Sequence, residues 1–360
     1  MELSARQRLA LLATAAAAAV VLLAVGVVAL PFVAALLLAL VLDPVARRLV
    51  AAGLAPAAAA AVTTGMATLV TAGLVFGALP LFAHDARDLI ETITTNAGEI
   101  ADRLAALWSR WLPAAQPLNE AVRSQVEELA SASLGRVAPA LEGLASVGGL
   151  VVTTFLFVVL VPIALFFFLK EGRRFRRGVE ILLPRRYQAA AGELIHAIGD
   201  GLGRYLRGQG LVCAAQATFH AVGLALIGLD FSLLIGVLTG VAALVPIIGN
   251  AVMLAVALLV AAVQFDTLVA MLLVLGLYAA AQMLETLVLV PFLVGRQIAV
   301  HPLLMILAVI MGGRMFGLAG ALLALPGTTV LVVVARWSWQ RYRQTEVYTA
   351  IDRAEDGSRG

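Results

Sequence analysis

The sequence predicts an all-α fold, a polytopic helical membrane protein with about eight membrane segments and an external helical insert, and three observations carry that prediction. Hydrophobic residues fill 62% of the 360 positions and charged residues only 13%, against about 25% charged in soluble domains. Mean hydropathy is +1.00, more apolar surface than a water-soluble interior can hide. Several apolar runs also reach the roughly 20 residues that a helix rising about 1.5 Å per residue needs to cross a hydrocarbon layer about 30 Å thick.

The same composition excludes other classes. Lys+Arg total 25 against 22 Asp+Glu, a net charge of +3, but the excess sits in loops beside apolar runs, where membrane orientation accounts for it. No basic stripe with interleaved aromatics is present, so the expected partner is the lipid bilayer and not nucleic acid. Cys213 is the single cysteine, which rules out a disulfide within the chain. Walker A, GxSxG and HExxH motifs and clusters at metal-ligand spacing are all missing from the sequence, so neither catalysis, a cofactor nor a metal is expected.

Residues 1–82 are expected to hold a hairpin and a third span. The run from Leu9 to Leu42 carries no charge. It is far longer than the roughly 7–15 apolar residues of a secretory signal, and Gly26 and Pro31 offer a turn within it. The third span runs from about Leu54 to Phe82. Residues 83–146 then carry net charge −4, as expected on the extracytoplasmic side. Leu89, Ile93, Ile100, Leu104, Leu107, Trp108 and Trp111 recur there at three- and four-residue steps, which predicts an amphipathic helix ended by Pro113. A second stretch holds Val122, Val126, Leu129 and Leu134. These helices are expected to pack on one another or on neighbouring subunits, which leaves room for a homo-oligomer.

A fourth span over 147–169 leads to residues 170–207, a basic cytoplasmic loop and an interfacial helix. The loop carries +5 between Lys170 and Arg186. Leu194, Ile195, Ile198, Leu202, Tyr205 and Leu206 form a stripe suited to the membrane surface. The N-terminal hairpin is preferred to a single kinked helix because it puts Arg6, Arg8, Arg47, Arg48 and this loop on one side. Both termini are then cytoplasmic, in a bacterial inner membrane. Residues 208–336 form the C-terminal membrane core, and 337–360 the cytoplasmic tail. Apolar blocks in the core lie at about 209–228, 231–263, 267–295 and 300–335. The second and fourth exceed one span and are interrupted, by ALVPIIGN at 243–250 and by MGGRMFGLAGALLALP at 311–326. Irregular backbone at membrane depth survives only where protein buries it or a wet cavity borders it, so both blocks read as broken or re-entrant helices.

An ionisable side chain within a span costs about 2.5–3.5 kcal/mol on insertion scales and asks for a compensating role. Glu285 is the outstanding case, close to mid-span in LYAAAQMLETLVLVPFLVG. Gln282 lies one turn earlier, where its amide could hydrogen-bond the carboxyl group. Two readings stand: a protonatable or cation-binding group in a transport path, or a structural carboxyl paired with Arg296 or Arg314. The breaks supply a second device, because exposed helix ends present partial charges to ions. Pro246, Gly249 and Asn250 form one break; Gly312, Gly313, Gly317 and Gly320 form the other. Close helix packing through small residues is the alternative for both. Gln209 shares a span with Gln216 and His220, the latter read as facing a polar interior. His301 opens the HPLL segment and reads as a helix start, with Gln209 and His301 as secondary candidates.

The block containing Gln282, Glu285, Pro291, Gly295, His301, Pro302, Gly312, Gly313, Gly317, Gly320 and Pro326 resembles the most characteristic stretch of the AI-2E (autoinducer-2 exporter) transporter family, the PerM-like permeases. Gly208 and Gln209, LVPIIG with Pro246 and Gly249, and PFVAALLLALVLDP near the start extend the resemblance over almost the whole chain. It implies a multi-pass inner-membrane transporter, in a family linked to autoinducer-2 export and to sodium/proton antiport. Two positions depart from the pattern: Thr286 stands where Asn often follows the Glu, and Asn250 where Pro often follows the Gly. The first change takes an amide from beside the carboxylate. The expected function is thus ion-coupled transport or export of a small polar solute, autoinducer-2-like, or of a cation by proton antiport. The alternative is a non-transporting scaffold that binds a partner through its external helices.

Overall fold

A computed structural model describes residues 30–74, 77, 79–96, 98, 156–181, 184–245, 248–265, 267–294 and 302–343. Regular structure among them is entirely helical, as composition predicts. The chain divides into two compact units, with the boundary falling inside a helix after Thr68.

In the first unit, α1 (Leu30–Ala51) opens with Pro31 in its first turn, where a missing N–H is harmless. α2 (Pro56–Gly73) begins the same way on Pro56. α4 (Val161–Ile181) follows a short π-helical stretch, Leu156–Leu160. Ala35 and Ala39 of α1 meet Ala164 and Leu165 of α4 in a small core. One-turn alanine spacing lets two helices approach closely without a large side chain between them. The segment KEGRRFRRG, expected as a loop, instead continues α4 through Ile181. It contains no proline, so nothing in it forces the helix to end.

The second unit carries the remaining helices. α3 (Leu79–Thr95) buries Leu89 and Ile93 in a core with Leu224, Ile235, Met253, Ala257, Val260 and Val274. The beginning of the expected external insert therefore docks on its own chain; residues 100–146 lie outside the described residues. α5 (Arg185–Ile227) is one helix of 43 residues, about 65 Å long and twice the thickness of a hydrocarbon layer. It merges the expected interfacial helix with the span after it. The later part of the expected surface stripe faces protein: Leu202 and Tyr205 are buried, and a Cβ on Gly201 would stand 3.1 Å from Val333 of the C-terminal helix.

α5 ends in a Schellman arrangement. Gly228 is left-handed (φ 81°), its N–H donates to Ala225 O (3.0 Å), and the Leu229 N–H donates to Leu224 O (3.0 Å). The Gln264 amide then staples the turn, donating to Gly228 O and accepting from the Asp230 N–H, both at 2.8 Å. The block 231–263 is broken as expected, into α6 (Ser232–Ala242) and α7 (Ile248–Gln264). Eleven residues give α6 about 16 Å, too little to cross. α6 lies along α5 through Gly236 and Gly240, whose added Cβ atoms would fall 2.3 Å from Ala221 N and 2.5 Å from Ala217 Cβ. α7 returns past the end of α6 so closely that a Cβ on Gly249 would sit 1.9 Å from Ala242 O.

α8 (Leu268–Leu284) runs directly into a π-helical segment, Glu285–Val294, containing Pro291. A proline inside a helix has no N–H to donate and presses on the carbonyl four residues back; the wider i→i+5 turn relieves both. α9 (Pro302–Arg343) is two arms joined at Phe316 and Gly317, where Gly317 takes φ 61°, ψ −147°. The arms fold onto each other: a Cβ on Gly312 would lie 2.4 Å from Gly320 O, and one on Gly320 2.0 Å from Gly312 O. The second predicted interruption is therefore also a break, with its glycines at the crossing.

Candidate functional site

Three helices converge on Glu285. It stands at the junction of α8 with the π segment and is partly exposed. From α5, Gln216 Nε2 donates to Glu285 Oε2 at 2.8 Å. From α7, Asn250 Nδ2 donates to the same oxygen at 3.2 Å and reaches Gln282 Oε1 at 3.4 Å. Gln282 is exposed and donates to Thr286 Oγ1 at 3.4 Å. It therefore meets Glu285 through Asn250, not directly, and the two amides on the carboxyl come from other helices. The amide taken away at position 286 is matched by one at 250.

The electrostatics are those of an unneutralised acid. Among the described residues no Lys or Arg forms an ion pair with Glu285. Arg314 is exposed on α9 and is not its partner; Arg296 lies outside the described residues. Asn250 occupies the first turn of α7, so the carboxyl stands beside a helix N-terminus, where the dipole favours negative charge by about 0.3–1 kcal/mol. Asn250 Oδ1 is buried and accepts no hydrogen bond among the described residues. Gln216 is only 1% exposed, so its side chain cannot turn to water and stays aimed at the acid.

The other candidates divide. Gln209 is buried two turns before Gln216 on α5 and donates to Ala243 O at 3.0 Å, capping a carbonyl left over where α6 ends. Gly249 sets the α6–α7 crossing; Gly312 and Gly320 set that of the α9 arms. A Cβ on Gly313 would stand 3.8 Å from Ala321 Cβ, and Gly317 forms the bend. Pro246 and His301 lie outside the described residues. Sequence reasoning passed over Gln216 as a site residue, although Gln209, Cys213, Gln216 and His220 follow each other at steps of four, three and four along one face of α5. It also passed over a second buried cluster. Thr239 Oγ1 lies 2.7 Å from Ile235 O and 3.0 Å from Tyr278 Oη, and the Tyr278 ring packs on His220 with centroids 4.4 Å apart. Among the described residues no group of three His, Cys, Asp or Glu side chains could hold a metal.

Known proteins resemble this chain over about half of its length. YrrI of Bacillus subtilis, named as a candidate transport protein, is 29% identical over 180 residues, 50% of each chain. PerM of Escherichia coli, named as a candidate permease, is 28% identical over 195 residues, covering 54% of this chain and 55% of its own. A Mycobacterium tuberculosis protein, MT0215, named as a candidate transport protein, is 30% identical over 210 residues, 58% of this chain and 53% of its own. The chain thus aligns with about half the length of these curated relatives. The family model described as "AI-2E family transporter" matches residues 9–337, nearly the whole sequence, and the chain belongs to that family.

Proposed function

We propose that the chain is a secondary transporter of the bacterial inner membrane, in which Glu285 couples movement of a small polar solute, autoinducer-2-like, or of a cation to protons. The observation that carries this reading is a carboxyl group held by two neutral amides, with no fixed cation among the described residues. A permanent Arg or Lys partner would settle the charge of the acid once and for all. Amides leave it to be balanced by whatever arrives. The ionised form accepts from Gln216 and Asn250, and Asn250 also carries a buried, unpartnered amide oxygen, the kind of acceptor that the hydroxyl of the protonated form needs. When the proton leaves, the same oxygens suit a hard cation or a polar solute.

The broken helices favour the same reading. Broken helices are one way to bring backbone ends and polar side chains to a solute at membrane depth, and Asn250 comes from the α6–α7 break. Transport names among the relatives point the same way. The basic 170–186 segment supports an orientation with both termini in the cytoplasm.

Reconstituted into vesicles, the full chain should drive flux in response to a pH gradient, and Glu285→Gln should abolish the coupling. Undiminished gradient-driven flux in that variant would remove Glu285 from the mechanism. Absence of flux for wild-type chain across monovalent cations and small polar solutes would overturn transport itself.

A further inference from the structure

His220 lies one turn beyond Gln216 on the same face of α5. It is 1% exposed. Its Nδ1 lies 2.9 Å from Gln216 O; a carbonyl can only accept, so Nδ1 carries a hydrogen. Nε2 is buried and has no hydrogen-bond partner among the described residues. A core histidine that merely fills space would be expected to satisfy both nitrogens, because a buried polar atom left unpaired costs about 1–3 kcal/mol.

Its surroundings fix that ring. Thr239 Oγ1 donates to Ile235 O, so its hydrogen is committed, and the 3.0 Å contact with Tyr278 must have the Tyr hydroxyl as donor. Tyr278 is thereby locked with its ring against the imidazole at 4.4 Å, and Phe219 stands at 5.9 Å. An aromatic ring within about 6 Å attracts an imidazolium more than a neutral imidazole. The titratable groups along the α5 face are Tyr205 and Cys213. α8 presents Tyr278 and, seven residues on, Glu285. α6 presents only Thr239, and Arg314 on α9 is exposed. Glu285 is therefore the acid linked to His220 through a shared partner, since Gln216 touches both: its backbone accepts from the imidazole while its side chain donates to the carboxyl.

We propose that His220 Nε2 is a second proton-binding point, coupled through Gln216 to Glu285. The inference rests on the reading of Glu285 as a proton-exchanging group. In the step it assigns, the Glu285 carboxylic acid gives up its proton and the Nε2 lone pair takes one up, while Nδ1 keeps its hydrogen. The pair passes from acid and neutral imidazole to carboxylate and imidazolium, with net charge zero before and after. A carboxylate can then be offered to an incoming cation or solute without changing the charge of the membrane interior.

The test is nitrogen NMR of the full chain, labelled with 15N-histidine in vesicles, from pH 5 to 8, the range in which histidine ordinarily changes charge. The His220 signals are those missing from His220→Gln. Nε2 should titrate within the range, and the imidazolium share at pH 6 should change by about twofold or more in Glu285→Gln, which leaves His220 in place. A ring locked in one protonation state throughout, or identical titration in both proteins, overturns the inference. Vesicle flux separates the two failures. Coupled titration without flux in the wild type sinks the transport reading alone, whereas Glu285-dependent flux with a silent His220 sinks this inference alone.

Discussion

Gly249→Ala should destabilise the protein and disconnect Asn250 from Glu285 in one change. The added Cβ would stand 1.9 Å from Ala242 O, 2.5 Å from Ala242 C and 3.0 Å from Ala242 Cβ, where ordinary contact begins at 3.4 Å. Backbone cannot rotate away as a side-chain tip can, so α7 must retreat by roughly 1.5 Å or deform. Overpacking of this kind costs about 1–3 kcal/mol, set against about 0.5–1 kcal/mol that alanine gains over glycine inside a helix. A net loss of about 1–2 kcal/mol should lower the melting temperature by roughly 2–6 °C. Gly276→Ala is the control: Gly276 lies within α8 with nothing inside 4 Å of an added Cβ, so only the helix gain applies and the melting temperature should hold or rise. Detergent-solubilised protein, heated in steps and resolved by size-exclusion chromatography, gives both numbers. Equal melting of Gly249→Ala and Gly276→Ala would refute the close α6–α7 crossing and the account of the site built on it.

Thr239→Val strands the Tyr278 hydroxyl in a buried place and should cost about 1–3 kcal/mol. Tyr278→Phe in the same chain should restore part of that loss, read as a coupling energy in a double-mutant cycle of thermal unfolding; additive losses would show that the two hydroxyls are not partners. Gly317→Ala puts a Cβ on backbone at φ 61°, ψ −147°, a region that glycine alone occupies readily, and should cost about 1–3 kcal/mol. Melting unchanged from wild type would mean that the α9 arms turn elsewhere.

What the sequence revealed and concealed follows from the range of each signal. Glu285 was visible because a charge in an apolar run is a local anomaly, and both breaks were visible because glycine and proline mark them locally. Gln216 is 69 positions from Glu285, and nothing along the chain announces such a pairing. Its four-three-four spacing with Gln209, Cys213 and His220 showed a polar face but not what that face meets. Thr239 was opaque for another reason. Threonines in apolar helices routinely return their hydrogen to the carbonyl four residues back, as Thr63, Thr218, Thr328 and Thr329 do, and only a neighbour such as Tyr278 distinguishes one from the rest. Charge misled at 170–181, where basic residues forecast a loop and the chain kept its helix through Ile181. A span that leaves the bilayer can continue into water, because its backbone hydrogen bonds are already made within the helix.

The glycines of the α6–α7 break and the amides of the site are one arrangement. Gly236 and Gly240 let α6 lie against the backbone of α5, and Gly249 lets α7 lie against the end of α6. Only with both approaches made do Gln216 of α5 and Asn250 of α7 reach the same carboxyl oxygen on a third helix. The Asn250 bond, at 3.2 Å, has little slack before the roughly 3.5 Å beyond which a direct hydrogen bond gives way to a water between. A retreat of α7 by roughly 1.5 Å at the adjacent residue exceeds that slack about fivefold. Packing through small residues is itself what assembles the site: without side chains at 236, 240 and 249, three apolar helices come close enough to hold an acid by neutral donors alone.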